Sequence, residues 1–334
     1  MRTQFDKKRF VRTLPSNVRE QDKVYFENLR HYDCPALKIY QFHSVNVLPD
    51  STLFKGIFPL KISFLFFRKR IKHHNIKGII FILLNWKKRN LRAECPYLLI
   101  HDGWTQNYYH WITQALPRLI LAQQANNPFI LLLPEDHQTE FHIASLKLLN
   151  VESWQTLERK EQYYTIENLW YATRDIQIGD YNDDLIITLR DKLIATPITG
   201  TPRKLFIRRV SQDKRRILNE ADVLQTFLSF GFEIVEFERL SFTQQLALLR
   251  ETTVLAGVHG AGLTNMIFMP SRSVVFELTT KVNGENYYYY SLSNALSHKY
   301  YYQACDTDQA GEVQDANLMV DIHTLQDNIT LMLT

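Results

Sequence analysis

From residue 97 onward, short apolar runs alternate with stretches in which apolar positions recur every third or fourth residue. Residues 97–101 form an apolar run that ends at Asp102-Gly103. Residues 108–123 follow, with Trp111, Ile112, Ala115, Leu119 and Ala122 at helical spacing, so a strand and then a helix are predicted. Pro117 lies inside that helix and predicts a kink or a break, because proline has no N–H and crowds the preceding turn. A strand over 129–133, an amphipathic helix over 139–149 and a strand over 169–172 continue the series. The second half repeats it: strand 205–208, helix 220–230 closed by Gly231, strand 232–237, helix 242–250, strand 254–258, a helix beginning near Leu263, and strand 274–278. After residues 317–320, a helix is predicted over 323–333. Before residue 97 the pattern is weaker, and strands are predicted over 37–47 and 78–84.

Strands alternating with helices predict an α/β fold with parallel sheets covered on both faces, and the second half reads as a doubly wound domain. The 334 residues exceed what one core usually holds, so two domains are expected. Pro197, Gly200 and Pro202 punctuate the chain near the midpoint. They set an N-terminal domain over 1–195 and a C-terminal domain over 196–334, with the terminal helix available to pack back on the first.

Composition narrows the class. The chain is 45% hydrophobic and 22% charged, without a low-complexity tract or repeat, which suits a folded globular protein. Cys34, Cys95 and Cys305 are odd in number and far apart, matching neither a disulfide framework nor a zinc pattern, and they suit a reducing compartment. Residues 1–12 do not read as a signal peptide. The apolar segments 57–67 and 78–86 fall short of the ~20 residues a membrane span needs. A cytoplasmic protein is expected. The net charge of +4 is unevenly spread: Arg68, Lys69, Arg70, Lys72, Lys77, Lys87, Lys88, Arg89 and Arg92 cluster with His73 and His74. Such a cluster suits a solvated face, or a peripheral surface meeting anionic lipid or acidic polysaccharide at the inner face of the membrane. No nucleic-acid module accompanies it, so nucleic acid is not an expected partner.

The most informative stretch runs from Val254 through His259-Gly260-Ala261-Gly262 to Asn265. A strand that ends in small residues and feeds a helix presents backbone N–H groups to an anion, although such a turn also serves tight packing. Arg208 and Arg209 end the strand that opens the same domain, where strand C-termini share one crevice and an arginine reaches the same phosphates. Glu277 ends another strand, where a carboxylate accepts from ribose hydroxyls. Together these describe a nucleoside diphosphate site. In the first half, His110 follows a loop that carries Asp102. It reads either as a general base for an acceptor hydroxyl or as a histidine that holds the loop in shape. Asp306-Thr-Asp308 spells a metal-binding triplet and Asn182-Asp183-Asp184 a looser echo. Both sit in turn-like surroundings, and no metal or other cofactor is expected. Tyr289, Leu292, Leu296 and Tyr300 recur at helical spacing and predict helix packing. No Gly-x-Ser-x-Gly elbow, zinc motif or P-loop supports a hydrolase or kinase reading.

Asn107-Tyr-Tyr-His110-Trp111, Leu116-Pro117-Arg118-Leu119, Asn219-Glu220, Ser241-Phe242 with Gln245, and His259-Gly-Ala-Gly-Leu-Thr-Asn265 with Phe268 and Glu277 follow one another in order. This series resembles glycosyltransferase family 61. The resemblance implies a GT-B-type fold, with two facing Rossmann-like doubly wound domains and a cleft between them. It also implies an inverting transferase that takes a nucleotide diphosphate sugar as donor. The acceptor implied is a glycan or lipid-linked glycan of bacterial capsular, lipopolysaccharide or other surface polysaccharide synthesis. Carried over, Arg208, His259, Gly260, Ala261, Gly262 and Asn265 would hold the donor diphosphate and Glu277 the nucleoside. His110, with Asp102 as runner-up, would be the catalytic base. The chain departs from the family at Gln114, where many relatives carry an acid. That departure keeps a catalytically inactive binding protein in play, beside another sugar-nucleotide enzyme such as an epimerase.

Overall fold

The computed structural model describes residues 2–64, 79–80, 82–84, 88–158, 163–173, 176–194, 200–210, 214–280, 287–308 and 316–334. Most of the basic cluster at 68–92 and part of the interval 189–202 lie outside these. The protein is mixed α/β and divides into two compact units, one of Met1–Lys8 and Cys34–Gln177, the other of Arg9–Asp33 and Ile178–Thr334. Among the described residues no helix is long and apolar enough to cross a membrane.

The first unit is built on a mixed sheet. Trp154–Leu157, Ile130–Pro134, Tyr97–Leu99 and Tyr163–Ala172 lie side by side and parallel, as strands with helical crossovers do. The sheet then changes character. Tyr163–Ala172 pairs antiparallel along most of its length with Leu37–Val47, which continues into the short strands Leu53–Lys55 and Phe58–Pro59. The expected doubly wound pattern therefore describes only part of this sheet. Val45, Leu99, Leu132, Tyr164, Ile166 and Leu169 fill one core cluster.

Two elements differ from the sequence reading for physical reasons. Residues 79–80 and 82–83 are helical rather than a strand. Ile79 and Ile82 pack on Leu48, Phe54 and Tyr163, whereas Ile80, Leu83 and Leu84 stay exposed. An unbroken apolar run carries no period that separates strand from helix. The helix predicted over 108–123 is real but interrupted: Tyr108–His110 is α-helical, Trp111–Ala115 forms a π-helical turn, and Leu116–Gln123 resumes the α-helix with Pro117 in its first turn. The wider turn accommodates the N–H that Pro117 lacks.

The second unit holds a five-stranded, all-parallel sheet ordered Glu233–Val235, Arg203–Ile207, Thr252–Val258, Val274–Thr279, Lys299–Ala304. The helix Glu220–Ser229 ends as predicted. Gly231 is left-handed (φ +75°), its N–H bonds the Leu228 carbonyl and that of Phe232 bonds Phe227, a Schellman closure. The tyrosines at helical spacing divide between elements, because the helix stops at Ala295 and Ser297 turns left-handed (φ 60°). Tyr300 consequently lies on the edge strand. That edge is covered by the N-terminal segment: Ser16 N–H bonds the Tyr300 carbonyl, and the Asn17 amide bonds both the carbonyl and the N–H of Tyr302. An uncovered edge would invite pairing with another chain.

Three histidines are buried as neutral rings. Burial depresses His101 to about 3, and His142 and His298 to about 4. The unfolded chain takes up these protons near pH 6.5, so between that value and the folded values it binds more protons than the native state. Their contribution is fully present above pH 6.5 and is lost as pH falls, by up to about 1.4 kcal/mol per pH unit for each ring. Urea midpoints measured at about pH 7.5 and about pH 5 should differ accordingly; equal midpoints would refute the buried neutral assignment.

Candidate active site

In a doubly wound sheet, ligands bind outside the strand C-termini where the strand order reverses. In the second unit that point lies between Arg203–Ile207 and Thr252–Val258. Arg208 and Arg209 follow the first of these strands, and His259 to Gly262 follow the second. A cavity of about 200 Å³ opens here, lined by Arg208, Arg209, Lys214, Arg215, Arg216 and Glu220 among others.

The two consecutive arginines have different fates. Arg208 is engaged by carboxylates: it donates to both Glu220 oxygens (3.2 and 2.8 Å) and to Glu236 (3.1 Å). Those neighbours, Glu220 foremost, raise its guanidinium above the ordinary value. Arg209 lies against the turn, where a Cβ at Gly260 would come within 3.3 Å of its Nη1. Burial and the nearby Arg215 lower Arg209 below the usual arginine value. Arg215 donates to the His259 carbonyl (3.0 Å). Arg209 Nη1 and Arg215 Nε are buried, and neither meets a partner among the described residues. Two cations placed together with unmet N–H groups have the chemistry to receive an anion. The sequence motif singled out both Arg208 and Arg209 but chose Arg208. Arg215 went unnoticed, although the Arg215-Arg216 pair stands just before the Asn219-Glu220 block.

The turn itself is partly open: His259, Ala261 and Gly262 are half-buried, while Gly260 is buried. A 3₁₀ helix, Ala261–Phe268, follows in place of the expected α-helix. The glycines share their work with packing. A Cβ at Gly257 or Gly262 would press to 3.3 Å on Ile207, so these two let the turn lie on the neighbouring strand. Asn265 is buried on the 3₁₀ helix.

Glu277, assigned from sequence to the nucleoside, is instead enclosed. It is fully buried; one carboxylate oxygen contacts His259 Nδ1 and the other accepts from the Tyr300 hydroxyl at 2.6 Å. A carboxylate held this way orients a histidine rather than meeting a ribose. Tyr289 stands edge-on to His259, with ring centroids 5.1 Å apart.

In the first unit, Asp102 is part of the scaffold. Its Oδ1 accepts the Trp104 N–H (2.7 Å) and its Oδ2 accepts from Arg118 (3.0 Å), both partners of that ion pair being buried. This removes Asp102 from contention as the base. Asp102→Ala would strand a buried guanidinium and should cost about 3–5 kcal/mol in unfolding free energy, measurable by urea titration. His110 is half-buried, and its Nδ1 pairs with Gln114 Oε1 at 2.8 Å. The amide carbonyl accepts an Nδ1 proton, which selects the tautomer with its lone pair on Nε2. Trp104, 45% exposed, lies 5.7 Å from the His110 ring, centroid to centroid. Both acidic triplets take part in local structure: Asp306–Thr307 pairs with Leu318–Met319 and Asp308 accepts two hydrogen bonds from Asn317, while Asn182 caps the helix Asp183–Leu193 by accepting the Leu185 N–H.

Comparison with known proteins agrees with the motif series. The family described as Glycosyltransferase 61 matches residues 108–276, half of the chain. The chain belongs to glycosyltransferase family 61. The matching residues contain the His110–Gln114 pair, both arginines and the glycine turn, whereas Glu277 and Tyr300 lie beyond them. Similar proteins include the EGF domain-specific O-linked N-acetylglucosamine transferases. The Drosophila melanogaster protein is 43% identical over 121 residues, 34% of this chain and 23% of its own length. The Pan troglodytes and Gallus gallus proteins are 37% and 36% identical over 87 residues, in each case 25% of this chain and 16% of theirs. The chain thus spans under a quarter of the length of these relatives. Their names mention no surface polysaccharide, the acceptor class that the resemblance implies.

Proposed function

We propose that this family 61 enzyme inverts the anomeric centre of a nucleoside diphosphate sugar in one displacement, on a GT-B framework whose second unit holds the donor. The observation that carries the reading is the anion site at the sheet's reversal point: Arg209 and Arg215 with buried, unmet N–H groups beside the 259–262 turn. The acceptor oxygen attacks the anomeric carbon and the bond to the diphosphate oxygen breaks. The electron pair leaves with the nucleoside diphosphate, and the acceptor proton passes to His110. Guanidinium groups and backbone amides balance the leaving charge, so no metal is required. The relatives' names favour N-acetylglucosamine as the sugar, and the acceptor we infer is a surface glycan.

A thermal-shift screen against uridine, guanosine, cytidine and thymidine diphosphate sugars tests the reading. A donor at 100 times its dissociation constant should add about 2.7 kcal/mol of stability. Transfer to an acceptor, undiminished by EDTA, completes the case. Conversion of donor alone to another sugar nucleotide would make the protein an epimerase, and binding without sugar release would make it an inactive binding protein.

We also propose cytoplasmic residence with peripheral contact at an anionic membrane. Exposed Ile80, Leu83 and Leu84 are followed in sequence by Lys88, Arg89 and Arg92, and apolar side chains beside basic ones suit a lipid interface. The protein should co-sediment with phosphatidylserine vesicles at low salt, and Leu83→Glu with Leu84→Glu should abolish this. A failure of the unaltered protein to pellet would refute the contact.

A further inference from the structure

Glu277 is a fully buried carboxylate on the strand Val274–Thr279, one strand away from the turn that carries His259 and next to the edge strand that carries Tyr300. Its two oxygens join these neighbours, His259 Nδ1 on one side and the Tyr300 hydroxyl on the other. Burial and the adjacent carboxylate push the Tyr300 phenol well above its ordinary value, so Tyr300 stays protonated and donates to Glu277. A buried acceptor satisfied by two donors is rigid, and the only freedom left to the imidazole is at Nε2. The backbone of His259 is fixed as well, its N–H bonded to the Leu278 carbonyl and its own carbonyl bonded by Arg215. The ring thus belongs to the same turn that Arg209 and Arg215 flank.

We propose that Tyr300 and Glu277 are positioning residues that hold a proton on His259 Nδ1 and aim Nε2 at the donor, where Nε2–H donates to a leaving diphosphate oxygen. This rests on the donor reading above. An ionised diphosphate oxygen accepts, so a hydrogen bond from Nε2 to it requires a second proton on the ring, with the charge shared by Glu277. No proton need leave His259: the bond from the anomeric carbon to the phosphate oxygen breaks, the electron pair stays on that oxygen, and the hydrogen bond strengthens as negative charge develops. Neither Glu277 nor Tyr300 touches substrate in this arrangement, so Glu277 need not mark a ribose.

The test is a long-range ¹H–¹⁵N spectrum of the full chain labelled with ¹⁵N-histidine, with the His259 signals identified by their loss in His259→Gln. In the unaltered protein Nδ1 should carry a proton, and UDP, GDP, CDP or dTDP should bring one to Nε2 as well. Glu277→Gln should release Nδ1. Tyr300→Phe, which keeps the ring and removes one hydroxyl, should fold with its Tm lowered by a few degrees, lower kcat about 10–100-fold and leave the donor KM within about threefold, by analogy with other outer partners of a ligating histidine. A proton-free Nδ1 in the unaltered protein, or full turnover by Tyr300→Phe, overturns the proposal. If transfer proceeds and a nucleotide binds, yet His259 does not respond, the proposal falls and the donor reading stands. If none of the four nucleotides binds and no sugar is transferred, the donor reading itself falls and takes the proposal with it.

Discussion

Arg209→Ala is expected to lower kcat/KM for the donor by about 10²–10³-fold, the loss seen when one charge-stabilising donor is removed from a reacting site. The neighbouring Arg208→Ala should have a much smaller effect on the donor. The contrast rests on how the two guanidiniums are balanced. Arg208 already faces two carboxylates, so it brings little net charge to a ligand; its removal frees Glu220 and Glu236 near the surface and should cost about 1 kcal/mol or less. Arg209 is held beside Arg215 with burial lowering its charged form, and it regains favourable electrostatics only when an anion arrives. Removing it should therefore leave stability unchanged or raised while donor affinity collapses, a combination that a merely structural arginine cannot produce. Donor titration by calorimetry alongside Tm measurement checks both halves. Weak donor binding in Arg208→Ala with normal binding in Arg209→Ala would reverse the assignment.

That pair also shows how far the sequence could be read. The strand–turn signature at 254–262 and the strand ending at Ile207 were legible because apolar runs closed by small or charged residues define a parallel sheet, and the sheet's reversal point follows from topology. Which of two adjacent arginines keeps an unmet N–H group was not. It depends on Glu220 and Glu236, distant in sequence, which engage the guanidinium of Arg208. Glu277 was placed at the end of its strand but lies inside Val274–Thr279, and its enclosure could be read only by knowing that Tyr300 lies on the next strand. Helical spacing with Tyr289 hid this, because a left-handed Ser297 reverses the chain between them. The first unit was least legible where pairing is non-local. Leu37–Val47 was recognisable as a strand, but nothing in its own pattern announces an antiparallel partner at Tyr163–Ala172. Asp102 illustrates the same limit: its spacing from His110 suggested a catalytic pair, while its actual partner, Arg118, is brought in by the helix beyond the π-turn.

The second large effect concerns His110. His110→Ala should reduce kcat by about 10²–10⁴-fold, the range for loss of a positioned general base, with the donor KM little changed. The geometry behind this is the Gln114 carbonyl at 2.8 Å from Nδ1, one helical turn along, which sets the tautomer that accepts a proton at Nε2. Gln114 itself is fixed through its backbone, since its carbonyl accepts from Arg118 Nε at 2.9 Å and Arg118 is anchored on Asp102. A neutral amide orients the ring without the charge an acid would supply. The departure from the family pattern at this position thus preserves direction and gives up electrostatic assistance. Gln114→Ala should accordingly lose activity by less than His110→Ala, because the ring remains but is free to rotate. Gln114→Glu, which restores both acceptor and charge, should equal or exceed the unaltered enzyme. Single-turnover rates for the three variants distinguish these roles. If His110→Ala turns over normally while Gln114→Glu does not, the acceptor proton goes elsewhere and the histidine merely shapes its loop.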